Sequence, residues 1–179
     1  KDFYHFKAIP IYGKNAQVKN LALFPRKING TYVMLSRIDG KNNYIMYSDQ
    51  INNWENAKLL QQPTYPWEYI QVGNGGSPIE TEEGWLMITH GVGPMRKYSL
   101  GACLLDLDDP SKVIGCLKEP LLTPNEKERD GYVPNVVYTC GAMIHNNHLI
   151  IPYAMADYAT GLATIELDEI LDALKLSMF

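Results

Sequence analysis

Residues 73–93, GNGGSPIETEEGWLMITHGVG, contain three glycines in four positions, followed by two short apolar runs. The runs 77–81 and 85–90 flank Glu82, Glu83 and Gly84, a pattern typical of a turn between antiparallel strands. Neither G-x-x-x-x-G-K-[ST] nor G-x-G-x-x-G occurs here, so the glycines do not form a phosphate-binding loop at a helix N-terminus. The stretch predicts a β-hairpin.

Two other segments share this hairpin design. Residues 21–37 contain the turn signal Asn29-Gly30, and residues 135–157 contain Asn146-Asn147. A further run with strand character follows each hairpin, over 43–49, 98–108 and 160–167. Units of three or four strands that recur every ~50 to 65 residues are typical of β-propeller blades. A β-sandwich or meander would give a similar pattern and stays open at this point.

Composition limits the classes of function. The chain has 179 residues, 46% of them apolar, and a net charge of -4, as expected for one globular domain. It has no Lys/Arg-rich stripe and no apolar stretch of ~18 residues, which argues against nucleic-acid or membrane partners. Cys103, Cys116 and Cys140 are odd in number and widely spaced. We expect buried free thiols in a cytoplasmic protein, with periplasmic or secreted locations still open.

The second strand of each unit ends in a polar side chain. These residues are Arg37 after TYVMLS, His90 after WLMIT and Asp157 after IIPYAMA. Equivalent positions of successive blades face a shared axial cavity, so we expect the three side chains to converge on a pocket there. Beyond the last strand, Leu167, Ile170, Leu171 and Leu174 recur at helical spacing. They predict one C-terminal helix on the outside of the β-domain.

Motifs for other chemistries are missing from the sequence. The four histidines show no H-x-x-x-H or H-E-x-x-H spacing, so no metal site is predicted, and no G-x-S-x-G elbow occurs. Carboxylates are the more promising groups, because glycoside cleavage uses an acid together with a second group that admits the attacking species. Asp157, Glu68 and Glu80 are the candidates near the pocket-forming segments.

Five ordered segments carry a more specific signal. They are LALFPRKINGTYVMLSR, GNGGSPIETEEGWLMITHGV, YSLGACLLDLDDPSKVIG, EPLLTPNEKERDGYVPNVVYTCGA and IPYAMAD. Together they resemble glycoside hydrolase family 130, the β-mannoside phosphorylases and related mannosidases. The resemblance implies an all-β, five-bladed β-propeller, of which this chain has about three blades, with the C-terminal helix. We expect one propeller portion over 1–179, with units at about 19–60, 61–125 and 126–179, as the C-terminal part of a longer chain.

The resemblance also implies an activity. It implies inverting phosphorolysis of β-mannoside oligosaccharides to mannose 1-phosphate, with inorganic phosphate as co-substrate and no cofactor. The family's proposed acid belongs to the N-terminal blades, so no catalytic residue is expected here. A β-mannoside hydrolase and a non-catalytic sugar-binding module remain alternatives. Open propeller fragments also expose strand edges, which predicts self-association into a homo-oligomer.

Site residues follow from the matched segments. Arg37 and His90 resemble the family's phosphate contacts, while Tyr98, Tyr138 and Asp157 resemble its sugar contacts. Three positions depart from the family pattern or accompany such a departure. Gln71 replaces a lysine that helps to hold phosphate, Arg96 with Lys97 restores positive charge nearby, and Asn74 in GNGGSP alters the sugar contacts. We therefore expect Gln71 and Arg96 to contact phosphate and Asn74 to contact the sugar. Loss of a cation is expected to weaken phosphate binding, because such binding depends on charge-assisted hydrogen bonds.

Overall fold

The computed structural model describes residues 2–177, which form three antiparallel sheets and one helix. The first sheet has the order β1-β2-β3-β4. Its strands are β1 (Lys19–Leu23), β2 (Tyr32–Arg37), β3 (Asn43–Ser48) and β4 (Ala57–Gln61). Each strand pairs with the next along the chain, so this sheet is a simple meander.

The second and third sheets share a design in which two short strands pair with one long strand. In the second sheet β5 and β6 both pair with β7, which pairs with β8 and then β9. In the third sheet β10 and β11 pair with β12, and β13 pairs with β12 along its length. The bounds are β5 (Gln71–Asn74), β6 (Ile79–Thr81), β7 (Gly84–Val92), β8 (Tyr98–Leu105), β9 (Val113–Cys116), β10 (Val137–Tyr138), β11 (Met143–His145), β12 (His148–Met155) and β13 (Ala159–Glu166).

The core lies on both faces of the second sheet. All nine residues of β7 are buried, and the side chains from Trp85 to Ile88 alternate between two clusters. Trp85 and Met87 pack with Val33 and other residues of the first sheet, whereas Leu86 and Ile88 pack with the third sheet and the helix. Since the three sheets stack in series, the two-sheet sandwich alternative is wrong. We call the sheets the first, second and third blades; the exact unit boundaries stay a prediction.

The predicted turns are confirmed. Asn29 and Gly30 have φ of 49° and 82°, and Asn146 and Asn147 have φ of 48° and 59°. Two-residue hairpin turns of this kind need positive φ at both central positions, which Asn and Gly tolerate best. In the second blade Thr81 pairs with Gly84, so the turn has two residues, Glu82 and Glu83, instead of the three predicted, and Gly84 begins β7.

The C-terminal helix α1 (Leu167–Leu176) is also confirmed. Ile170, Leu171 and Leu174 are buried and pack in the cluster between the second and third blades. The helix closes the outer side of these two blades, and among residues 2–177 no helix is long and apolar enough to cross a membrane. The last two residues of the predicted helical stretch lie outside the described residues.

The expectation of three buried free thiols is wrong. Cys103 on β8 and Cys116 on β9 lie directly opposite each other in the ladder and form a disulfide. Cys140 is free and exposed. The sequence spacing did not reveal the pairing, because it depends on the β8–β9 register rather than on a motif.

Candidate active site

A cavity of about 500 Å³ lies where the three blades meet. Its lining comes from every blade and comprises Lys19, Asn20, Leu21, Arg37, Asn74, Gly75, Gly76, His90, Tyr98, Tyr138, Thr139 and Cys140. Two of these side chains are cationic, and none of the lining residues found within 2–177 is Asp or Glu. The cavity therefore carries positive charge and suits an anion.

A larger groove of about 1340 Å³ lies on the outer side, between helix α1 and the β6–β7 hairpin. It carries several carboxylates, but three of them are occupied by ion pairs, Glu80 with Arg26 and both Glu83 and Asp172 with Lys175. Size alone does not identify a site, whereas convergence of uncompensated polar groups does. The smaller axial cavity is therefore the candidate active site.

Arg37 and His90 meet in this cavity, as predicted from their strand positions. Nδ1 of His90 lies 3.2 Å from the carbonyl oxygen of Asn74, and Nε2 lies 3.3 Å from Nη1 of Arg37. A carbonyl can only accept, so Nδ1 carries the proton and Nε2 accepts from the guanidinium. His90 thus orients Arg37 instead of offering a proton of its own to a ligand.

The protonation state of His90 agrees with these hydrogen bonds. Burial, with a second contribution from the charge of Arg37, lowers the pKa of His90 to about 4. Both effects disfavour the imidazolium, since it would be desolvated and would face a like charge. His90 is therefore neutral at pH 7, and the positive charge of the cavity comes from Lys19 and Arg37.

Two tyrosines border His90. The Tyr138 ring lies 4.9 Å from the imidazole between centroids, and the Tyr98 ring lies 6.1 Å away in a stacked arrangement. Both tyrosines line the cavity, and their contact with a sugar stays a prediction. Burial is the main reason why the pKa of Tyr138 is raised, so its hydroxyl stays protonated and can donate.

Asn20 and Asn74 link the three blades beneath the cavity. Asn74 Nδ2 donates to the carbonyl of Asn20 (2.7 Å), and Asn20 Nδ2 donates to the carbonyl of Asn74 (3.1 Å). Asn20 Nδ2 also lies 3.0 Å from the hydroxyl of Tyr138, which belongs to the third blade. Asn74 is buried and its amide holds the backbone of Asn20, so it shapes the cavity wall, while its predicted sugar contact stays a prediction.

Sequence reasoning missed Lys19 and Asn20. A regular ladder counted from the Ala22–Leu35 pair would place Asn20 opposite Arg37, but the observed partner of Arg37 is Lys19. The pairing shifts between Lys19 and Ala22, where Asn20 has φ of 59°. Such bulges re-aim side chains at strand ends, and here two polar side chains reach the cavity. The signal available in the sequence was only the polar pair that precedes LALFP.

Gln71 lies beside Arg37 rather than among the lining residues. Its amide oxygen accepts from Nη1 of Arg37 (2.9 Å), and its amide nitrogen donates to the carbonyl of Gly40 (3.2 Å). The predicted direct contact with phosphate therefore does not follow from this position. Gln71 contacts the group that would bind the anion.

Arg96 and Asp157 are exposed and do not line the cavity. Arg96 ends a 3-10 turn over Pro94–Arg96, and Asp157 follows β12 at the end where Tyr138 lies. Both residues have positive φ, of 56° and 51°. The three side chains were expected to converge, but Asp157 does not join Arg37 and His90 in the cavity lining. The ligand contacts predicted for Arg96 and Asp157 stay predictions.

The other two carboxylate candidates have structural contacts. Glu68 is 2% exposed and accepts from the backbone N–H groups of Thr64 (2.8 Å) and Tyr65 (3.2 Å). Burial raises the pKa of Glu68, but the residue closes a local turn outside the axial cavity. Glu80 binds Arg26 at the surface. Neither is placed to act on a ligand beside Arg37.

Comparisons with known proteins agree with this fold. The family model described as beta-1,4-mannooligosaccharide phosphorylase, glycoside hydrolase family 130, matches residues 4–176. A 1,2-beta-oligomannan phosphorylase from Thermoanaerobacter sp. (strain X514) is 44% identical over 154 residues, which cover 85% of this chain and 52% of that protein. A beta-1,4-mannooligosaccharide phosphorylase from Ruminococcus albus is 36% identical, over 88% of this chain and 50% of its own length.

A solved relative shows the same architecture. The beta-1,2-mannobiose phosphorylase from Listeria innocua, in complex with beta-1,2-mannobiose, superposes with a TM-score of 0.82 and 33% identity. The match covers 90% of this chain and 48% of that one, so the chain spans about half the length of the relatives it matches. The predicted fold, about three blades of a five-bladed propeller, is confirmed. The chain belongs to glycoside hydrolase family 130.

Proposed function

We propose that this chain supplies the phosphate-binding part of a β-mannoside phosphorylase. The observation that carries the proposal is the pairing of Lys19 with Arg37 directly across β1 and β2, with both residues lining one cavity. Two cations at one site can neutralise most of the charge of a phosphate dianion. The names of the similar proteins, which are mannoside phosphorylases, support the same activity.

Arg37 is prepared for this role by its surroundings. Nη1 is engaged by His90 and Gln71, while Nε is buried without a hydrogen-bond partner among the described residues. The guanidinium is thus fixed at one nitrogen and keeps donors for a ligand. An oxyanion would satisfy these donors, since guanidinium and phosphate geometries match.

The reaction assigned to the whole protein is an inverting displacement. A phosphate oxygen forms a bond to the anomeric carbon of a mannosyl residue as the glycosidic C–O bond breaks, and the leaving oxygen takes a proton from an acid. Lys19 and Arg37 would orient phosphate, and Tyr98 and Tyr138 would face the sugar. We assign Asp157, at the rim of the third blade, to the sugar hydroxyls. The acid is not among the lining residues described here.

Hydrolysis and simple sugar binding are the competing functions. A hydrolase replaces phosphate by water and gains nothing from two convergent cations, so the charge of the lining favours phosphorolysis. The turnover assay uses the whole protein, to which the reaction is assigned, and supplies β-1,2- and β-1,4-mannobiose with and without phosphate. Phosphate-dependent mannose 1-phosphate supports the proposal, phosphate-independent mannose supports hydrolysis, and binding without turnover supports a sugar-binding module.

A binding measurement tests the contribution of this chain alone. A calorimetric titration should show that the wild-type chain binds inorganic phosphate. Lys19→Met and Arg37→Met should each weaken this binding by about tenfold or more. Lys58→Met removes a cation from exposed β4 and is the matched control. Equal affinity in all three variants would overturn the assignment of Lys19 and Arg37.

A further inference from the structure

Gln71 connects two blades next to the cavity. It is the first residue of β5 in the second blade, where it pairs with Val92, and its side chain is partly buried. Its amide reaches the first blade at two points, the guanidinium of Arg37 and the carbonyl of Gly40. The hydroxyl of Tyr98 lies 3.5 Å from the amide atom that faces Arg37. One amide therefore bridges an arginine, a loop carbonyl and a tyrosine.

The hydrogen-bond capacity of Arg37 shows what the bridge achieves. Nη1 has two N–H groups, and its two neighbouring acceptors are His90 Nε2 at 3.3 Å and the Gln71 amide oxygen at 2.9 Å. Both acceptors are neutral, since His90 is a neutral imidazole with its proton on Nδ1 and the amide carries no charge. The guanidinium is thereby held in place by neutral groups. A carboxylate in their place would form an ion pair with Arg37 and compete with an incoming anion.

The far end of the Gln71 side chain is fixed as well. Gly40 belongs to the loop after β2, and Asp39 holds this loop by accepting from the backbone N–H groups of Lys41 and Asn42, both at 2.9 Å. The carbonyl of Gly40 then receives the Gln71 amide nitrogen. An amide that donates at one end and accepts at the other cannot rotate without losing both bonds.

We propose that Gln71 is a positioning residue, which fixes the Arg37 guanidinium against His90 before any ligand binds. The effect of Gln71 on phosphate affinity rests on the proposed function above. A lysine at this position could only donate, so it could not hold an arginine. The amide of Gln71 therefore does not contact the anion as a lysine would. It fixes Arg37, the residue that does.

The test compares Gln71→Met with wild type in the ligand-free chain. Methionine keeps the length of the side chain and removes both polar atoms. We expect Arg37 to move away from His90, so that NMR titration shows the His90 pKa rising by about 1 from its low value. Gln61→Met is the control, because Gln61 is also partly buried and hydrogen-bonded, to Asn43 (2.8 Å), but lines a different cavity.

The second measurement is phosphate affinity of the same variants by calorimetry. Loss of the anchor should raise the phosphate Kd by about tenfold in Gln71→Met and leave it unchanged in Gln61→Met. A raised Kd with an unchanged His90 titration would mean that Gln71 contacts phosphate directly, and would overturn the positioning role. So would an unchanged Kd together with an unchanged titration.

The two proposals fail in distinguishable ways. If wild type binds no phosphate but Gln71→Met still shifts the His90 titration, the phosphate site is wrong and the positioning role stands. If Gln71→Met does not fold, Gln71→Thr replaces it, because threonine suits a strand and is too short to reach Arg37. An unmoved His90 titration in Gln71→Thr overturns the positioning role in the same way.

Discussion

The imidazole of His90 lies directly over the backbone of Gly73, its cross-strand partner on β5. A Cβ atom built on Gly73 would lie 2.6 Å from Nε2 of His90 and closer still to Cε1. Side chains do not approach this closely, so the position needs a residue without a Cβ. The first glycine of GNGG therefore makes room for the ring that orients Arg37.

Gly73→Ala is expected to displace His90 and to disturb the Arg37 contact. Overpacking of this kind destabilises a fold by about 1–3 kcal/mol, so thermal unfolding should shift to lower temperature. Gly141→Ala is the matched control, because an added Cβ there meets no atom within 4 Å. Equal melting temperatures for Gly73→Ala and Gly141→Ala would contradict the close approach.

The pH dependence of the free energy of unfolding should reflect the protonation of His90. Its pKa is about 4 in the folded chain, below its ordinary value of 6.5, because the imidazolium is desolvated and faces Arg37. The unfolded chain therefore takes up a proton between pH 6.5 and pH 4 that the folded chain does not. The free energy of unfolding should fall with decreasing pH in this window, with a slope of up to about 1.4 kcal/mol per pH unit from this group.

Urea unfolding at several pH values measures this slope. His90→Gln removes the titrating group and should flatten the slope between pH 6.5 and pH 4 relative to wild type. His148→Gln is the control, because His148 is exposed and lies outside the axial cavity. A slope that persists in His90→Gln and disappears in His148→Gln would refute the assignment.

Asn20 offers a separate test of the link between blades. Its side chain bonds to both Asn74 and Tyr138, while its backbone has φ of 59°. Asn20→Gly removes only the side-chain bonds, at a cost of about 1–3 kcal/mol. Asn20→Ala adds the strain of a left-handed alanine, about 1 kcal/mol more. Chemical denaturation should rank wild type above Asn20→Gly and Asn20→Gly above Asn20→Ala; a reversed order would show that packing dominates.

Much of the fold followed from local sequence signals. The Asn29-Gly30 and Asn146-Asn147 turns were readable because positive φ at both central positions restricts the residue choice. The two faces of β7 could not be told apart in the sequence, however. Both faces of the middle blade are covered and every residue from Gly84 to Val92 is buried, so apolar and polar residues do not alternate. Strand existence was therefore predictable, while the stacking order of the blades was not.

The site was predictable only in part. Arg37 and His90 could be paired because Arg37 ends β2 and His90 lies near the end of β7, at similar places in their hairpins. Lys19 could not, because the register shift near Asn20 moves it opposite Arg37. The role of Gln71 depends on a tertiary contact with Gly40 that no local pattern encodes. Residue type indicated which groups could bind an anion, and register decided which of them do.

Asp39 provides the last prediction, because it controls the loop that anchors Gln71. Burial alone would raise the pKa of Asp39, but hydrogen bonds from Asn42, Lys41 and Tyr44 outweigh it and lower the pKa to about 2. The carboxylate therefore stabilises the loop above its ordinary pKa of 3.8, and this contribution is lost as the pH falls from 3.8 towards 2. At neutral pH the loop is fully held.

Asp39→Ala should release the loop and with it the carbonyl of Gly40. Because Gly40 anchors Gln71, we expect phosphate affinity to fall by several-fold, about half the free-energy effect of Gln71→Met. Asp49→Ala, which removes another exposed carboxylate near the end of β3, should bind phosphate like wild type. Combining Asp39→Ala with Gln71→Met should add little further loss, since both act through the same contact, whereas fully additive losses in calorimetry would show that the loop affects phosphate by a separate route.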